Sequence, residues 1–290
     1  ARKSAVLLKA EKSVRRAVLN ATNFVPEKTL VVEQVANKVV ALAQVMCERR
    51  FYPYQVQLGH RIVSSLLEHD GDVVTALMSR QVGKTEVVGA ICAAIAVVLP
   101  YLAEKHPEDW HLNITDDHGN YRGFKKGVKI GIYAPRQEQA EITFERVRLA
   151  FETKSAKKIM AQAGQRAEIN NGNRYVLSNG SVVMCQSASE QSKIEGATHH
   201  LLIAEEAQDI SDQKMRKSLH PMTATTMGTI VKIGTASTQR CDFYKAINEN
   251  LRAEALHGRK NHFFVPYTVC QRYNNLYARY IERGKERIGE

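Results

Sequence analysis

The spacing of hydrophobic positions changes twice along the chain. From about Val6 to Arg50 it is helical: Val31, Val35, Val39, Leu42 and Met46 recur at three- and four-residue intervals. Pro26 and Pro53 punctuate that region, and a further helix is predicted from Gln55 to Glu68. The period then collapses into a near-continuous apolar run, Val73 to Met78, the signature of a strand buried on both faces. A short polar loop and an apolar helix through Leu99 follow. Lys105 to Gly127 is polar and reads as a surface excursion. Val128 to Ala134 predicts a second strand and Glu138 to Phe151 a helix. Arg174 to Leu177 and Val182 to Cys185 flank Asn179-Gly180, which predicts a hairpin. Leu201 to Ala204 and Thr229 to Ile233 predict two more buried strands. Past Arg240 the chain is helical with one strand candidate, His262 to Val265. Strands alternating with helices imply an α/β domain with a mainly parallel sheet and right-handed crossovers.

Composition narrows the partners. The 290 residues suit one large α/β domain, or one domain with a helical appendage. Lys and Arg number 41 against 30 Asp and Glu, a net charge of +11 that favours a polyanion, nucleic acid first. From Arg122 to Arg166 there are 11 Lys and Arg against four acids, so Lys154, Lys157 and Lys158 are candidate DNA-phosphate contacts. A solvated helix face accounts for the same run equally well. Five cysteines, none at metal-ligand spacing, argue against a zinc site or a disulfide framework and fit a reducing compartment. The longest apolar run, Val87 to Leu99, is shorter than a membrane span. There is no signal-peptide pattern, and Ala1 in place of an initiating Met is expected to reflect trimming. His199-His200, being adjacent, point to opposite faces of a strand, so packing is expected of them rather than metal ligation.

Three stretches carry chemistry. Ser79-Arg80-Gln81-Val82-Gly83-Lys84-Thr85 lies between the first buried strand and its helix. Gly-Lys-Thr at such a turn ends a phosphate-binding loop: backbone N–H groups and the helix N-terminus attract phosphates, Lys84 neutralises them and the Thr85 hydroxyl can ligate Mg²⁺. The usual leading Gly would fall at Met78. Glu205-Glu206 close the Leu201 strand, where ligands bind in open α/β sheets, so one acid can serve the metal and the other the attacking water. A helix start with acids favouring its dipole is the bland reading. Thr235-Ala236-Ser237 end the Thr229 strand beside the same crevice; sensing the γ-phosphate and an ordinary turn are equally supported there.

Together the Ser-Arg-Gln-Val-Gly-Lys-Thr loop, the strand ending Glu-Glu-Ala-Gln and the Gly-Thr-Ala-Ser strand end resemble the ATPase domain of a large terminase subunit, the motor that packages DNA into tailed-phage capsids. The resemblance runs from about Phe51 to Arg240. It implies a three-layer P-loop NTPase of the RecA-like ASCE type with a small helical lid, divided as residues 1–50 (helical lid part), 51–240 (ATPase core) and 241–290 (lid or linker). It implies ATP and Mg²⁺ as cofactors, with Glu206 the catalytic carboxylate, Arg80 a cis arginine, Lys84 and Thr85 on phosphate and metal, and Glu205 on the metal. Thr235, Ala236 and Ser237 would couple hydrolysis to motion. Gln55 would read adenine, with Gln57 second. Gly131 to Arg136 resembles the family's second helicase-type motif.

Two departures stand out. Glu205 occupies a position where the family has Asp, and Glu195 one where some relatives have a trans-acting Arg. A trans finger would then come from Lys193, Arg166, Arg174 or Arg146, or be absent. Nothing after Arg240 supplies the acid cluster of a terminase nuclease, so no DNA cleavage is expected. Expected partners are double-stranded DNA, a portal protein, a small terminase subunit and further copies in a ring, with a monomer in isolation; the expected location is the cytoplasm of an infected bacterium. A superfamily 1 or 2 helicase-like translocase, and an ATP-binding assembly module with negligible hydrolysis, are the alternatives.

Overall fold

The computed structural model of the protein describes residues 32–288 apart from 117, 171 and 195. The described helices are α1 (Val32–Met46), α2 (Pro53–Glu68), α3 (Lys84–Lys105), α4 (Gln137–Glu152), α5 (Lys154–Gln162), α6 (Asp242–His257), α7 (Tyr267–Gln271) and α8 (Asn275–Ile288). The strands are β1 (Val73–Met78), β2 (Lys129–Ala134), β3 (Ala167–Asn170), β4 (Arg174–Leu177), β5 (Val182–Ser187), β6 (Leu201–Ala204), β7 (Thr229–Gly234) and β8 (His262–Val265). The region of the expected first helices before residue 32 lies outside the described residues.

All eight strands form one sheet in the order β3-β4-β5-β2-β6-β7-β1-β8. The pairs from β5 through β8 are parallel, and β3 and β4 add an antiparallel edge. Parallel strands align their C-terminal ends on one rim, so the loops after β1, β2, β5, β6 and β7 share a crest. The strand pleat then sorts the apolar side chains into two cores. Ile130, Ile132, Leu201, Ile203, Val231 and Ile233 face α1 to α5. Tyr133, Leu202, Ala204 and Ile230 face the opposite layer, with Met215, Leu219, Met222 and Phe243. This second layer is α6 and an irregular run of short turns spanning residues 207–226.

The expected α/β three-layer fold is the one observed, with two adjustments. β8 pairs in parallel with β1, so the 241–290 segment contributes a strand to the sheet and is not wholly a lid or linker. Its short His-Phe-Phe-Val run was legible as a strand, but its neighbour was not. Likewise Val35, Val39 and Met46 of α1 belong to the main core, within the segment expected as a lid. α3, with 22 residues, is long and apolar enough to cross a membrane, contrary to the expectation from Val87 to Leu99. It is instead the central core helix, buried along most of its length between the sheet and its neighbouring helices. α3 meets α4 at close range: a Cβ on Gly89 would lie 2.5 Å from Cβ of Arg146.

Candidate functional site

The loop between β1 and α3 is shaped by two left-handed residues, Gln81 (φ 61°) and Gly83 (φ 75°). Glycine at 83 is required twice over, since a Cβ there would also lie 2.6 Å from Nε2 of Gln55. The loop backbone is braced from two sides. From α2, the Tyr54 hydroxyl donates to the Val82 carbonyl (2.9 Å), and Gln55 Nε2 donates to the Gly83 carbonyl (3.1 Å). From the C-terminal segment, the Val265 carbonyl accepts from Ser79 N (3.0 Å) and the Tyr277 hydroxyl donates to the Arg80 carbonyl (3.3 Å). Tyr273 closes the brace, its ring 5.6 Å from that of Tyr52.

This geometry corrects the expectation for Gln55. Its Oε1 accepts from Tyr52 N (2.8 Å) and its Nε2 holds the loop, so a buried amide is committed at both ends instead of facing a base. Gln57, the second choice, is exposed on α2. Within the loop, Val82 and Met78 are buried while Arg80 and Gln81 are exposed. The Thr85 hydroxyl, in the first turn of α3, makes no hydrogen bond among the described residues.

The twin acids close β6, separated from β1 by the single strand β7. That inserted strand is the defining feature of the ASCE arrangement expected from the resemblance. Lys84 Nζ spans the gap and donates to Glu206 Oε1 at 2.6 Å. Glu206 sits at φ 46°, a left-handed conformation that is strained for a side chain bearing a Cβ. Burial pushes its carboxyl up, but the Lys84 and Gln208 hydrogen bonds with the nearby Arg80 charge outweigh this and hold it below the ordinary carboxylate range. Glu205 has the opposite fate. It is buried, with Oε1 accepting from the Thr143 hydroxyl of α4 at 2.7 Å, and burial raises its carboxyl despite that bond and the Lys84 charge.

Gln208, not among the residues expected at the site, lies beside them. Its Nε2 donates to Glu206 Oε2 (2.8 Å), and its Oε1 accepts from Thr235 N (3.2 Å). It joins the acid to the tip of β7, and only its place in Glu-Glu-Ala-Gln hinted at this. Thr235 is half-buried, whereas Ala236 and Ser237 are exposed past the strand end.

The remaining candidates scatter. Lys154, Lys157 and Lys158 are exposed on α5 and form no ion pair among the described residues. Lys157 and Arg166 rim an open cavity of about 720 Å³ floored by Phe151, Met160 and Tyr175. β4 lies five strands from β1 in the sheet, so this flank is roughly 24 Å from the loop. Arg146 pairs with Glu86, and Arg174 starts β4 on the same far flank. Lys193 is exposed on the segment after β5, whose end belongs to the crest, and Glu195 lies outside the described residues. His199 and His200 are buried against Tyr133 and the Lys129 backbone, as packing requires. All five cysteines are free.

A glycine-shaped loop with its lysine at a helix N-terminus, facing a carboxylate one strand away, defines a P-loop NTPase. The family described as "Terminase large subunit, T4likevirus-type, N-terminal" matches residues 75–278, and the chain belongs to it. Among solved structures it is similar to the large terminase ATPase domain of Thermus phage P74-26: 17% identity and TM-score 0.54 over 77% of this chain and 83% of that one. A mutant form of that domain gives 16% identity with the same TM-score and coverage. The large terminase of bacteriophage HK97 shares 16% identity over 75% of this chain and 39% of its own, with TM-score 0.49. A search of curated protein sequences found no match.

Proposed function

We propose that this chain hydrolyses ATP and thereby drives double-stranded viral DNA into a procapsid in the cytoplasm of an infected bacterium. The observation that supports this reading most is the Lys84–Glu206 contact, which joins the loop to the acid strand across 122 residues of sequence. In the proposed cycle the phosphates enter against the loop N–H groups and the α3 N-terminus. Lys84 transfers from Glu206 to the phosphate oxygens. The freed Glu206 carboxylate orients a water and accepts its proton as the water oxygen bonds to the γ-phosphorus and the bond to the bridging oxygen breaks. Arg80, exposed beside Glu206, meets the charge that develops on the γ-oxygens. Thr85 and Glu205, both hard oxygen donors, fit Mg²⁺, which would supply charge neutralisation at the phosphates. Gln208 and Thr235 sense the occupancy of Glu206. The portal protein, a small terminase subunit and a ring of further copies are the proposed partners, and α5 the proposed DNA contact.

Glu206→Ala should lower the turnover number for ATP by 10² or more, as expected on removing a group that positions and deprotonates the nucleophile, with magnitudes of about 10²–10⁴. Phosphate release by parent and variant tests this, and equal rates would overturn the assignment. Reversing charge at Lys157 and Lys158 should flatten the dependence of log K on log salt for DNA by about 2, roughly 0.9 per lost phosphate contact. An unchanged slope would remove α5 from the DNA path.

A further inference from the structure

The departure at Glu205 has a structural counterpart on a neighbouring helix. β6 presents Leu201 and Ile203 to the helical layer that contains α3 and α4, and Glu205 continues that alternation just past the strand end. Its carboxylate thereby reaches α4, where Thr143 is 1% exposed. A buried helical threonine ordinarily returns its hydroxyl to the carbonyl one turn back. Here it donates across to Glu205 Oε1 at 2.7 Å instead, and no other protein hydrogen bond reaches that carboxylate among the described residues. The helix carrying Thr143 is fixed in turn. α4 lies against α3 at Gly89, where a Cβ would come 3.1 Å from Val147 N, and α3 carries Lys84 and Thr85 at its start. Thr143 is thus held at a set distance from the phosphate loop by helix-to-helix packing, and it passes that registration to the acid.

We propose that Thr143 is a positioning residue for Glu205, fixing the longer acid where a metal–nucleotide complex meets it. The proposal rests on the reading that Glu205 serves the metal side of a nucleotide site. Acid and hydroxyl are matched in length. An aspartate at 205 would retract the carboxylate by about 1.5 Å, one carbon–carbon bond, beyond hydrogen-bonding reach of Thr143.

The test uses Mn²⁺ and ADP with the whole chain, reading free Mn²⁺ by electron paramagnetic resonance and ADP affinity separately in EDTA. Thr143→Val should weaken Mn²⁺ binding to the ADP-loaded protein about five- to tenfold, as for loss of one ordinary buried hydrogen bond. Metal-free ADP affinity should stay within about twofold, because a group acting only through Glu205 leaves the phosphate loop untouched. Thr143→Ser should restore Mn²⁺ binding. Glu205→Asp should weaken it to a similar degree, and adding Thr143→Val to that variant should weaken it no further. Parental Mn²⁺ affinity in Thr143→Val, or independent multiplying losses in the double variant, would overturn the proposal while leaving the nucleotide site intact. If the parent binds ADP equally with and without metal, the metal role of Glu205 and this proposal fall together. Should Thr143→Val not fold, Glu205→Asp decides alone, since it breaks the same bond: unchanged Mn²⁺ affinity there overturns the proposal.

Discussion

Replacing Gln208 by Leu tests the link between the acid and the β7 tip. Gln208 is 6% exposed, and the change keeps its approximate volume while removing its hydrogen bonds to Glu206, Asp209 and Thr235 N. The bond from Nε2 to Glu206 Oε2, at 2.8 Å, has a charged acceptor and belongs to a class worth about 1.5–3 kcal/mol. If it holds Glu206 in place for the water, that loss appears in the barrier. At 1.36 kcal/mol per decade the turnover number should fall about 10- to 150-fold. Thr235 N, at 3.2 Å from Oε1, is only half-buried and can turn to water, so the fall in folding stability should come mainly from the Glu206 bond, about 1.5–3 kcal/mol. The assay is steady-state phosphate release against ATP concentration, with thermal melts in parallel. The turnover number should fall while KM stays within a few-fold, because the phosphate-binding loop is untouched. A variant that turns over within twofold of the parent, in a background where Glu206→Ala is inactive, would refute the argument that Gln208 positions the acid.

Gly234→Ala should mimic that loss without touching Gln208. A Cβ at 234 would sit 2.2 Å from Gln208 Oε1 and 2.8 Å from the Phe243 ring, so the amide must leave its place. Reduced turnover, with restoration of the glycine as control, is expected; full activity would mean the amide is not needed there. Stability should fall with acid. Burial pulls the His199 and His200 side chains down to about 4 from 6.5, so the unfolded chain takes up protons first as pH drops below 6.5. Stability is whole above that value and is lost progressively toward pH 4, by about 2 kcal/mol per histidine at pH 5. Urea melts at pH 7.5 and pH 5 measure this, and equal midpoints would contradict it.

Much of this molecule could be read from local pattern. The run Val73 to Met78 followed by Gly-Lys-Thr is strand, loop and helix in sequence, and each signal is short-range, so β1 and α3 emerge together. The twin acids ending an apolar run marked the second half of the site. What pattern does not carry is adjacency. Nothing local says that β7 inserts between β1 and β6, or that β8 takes the other side of β1. For the same reason Gln55 was assigned to a base although its amide braces the loop, a contact made 28 residues away. β3 escaped notice because four residues beside a turn give too few alternations to register. α5 was overlooked because its nine residues are mostly polar, with an apolar face of only Ala156, Ile159 and Met160. Thr143 carries no local signal, since its contact with Glu205 is made across 62 residues of sequence.

The insertion of β7 has a mechanical corollary. Two strand spacings, about 9–10 Å, separate β1 from β6, and the tip of β7 forms the floor between them. Two residues before that tip's Gly234, the buried Lys232 is ion-paired with Asp242 in the opening turn of α6. Asp212, downstream of the acids, accepts from Asp242 N at 2.6 Å. These contacts tie the C-terminal half of β7 and the chain after the acids to the same opening turn of α6, so that turn is a common anchor for both sides of the Glu206 site.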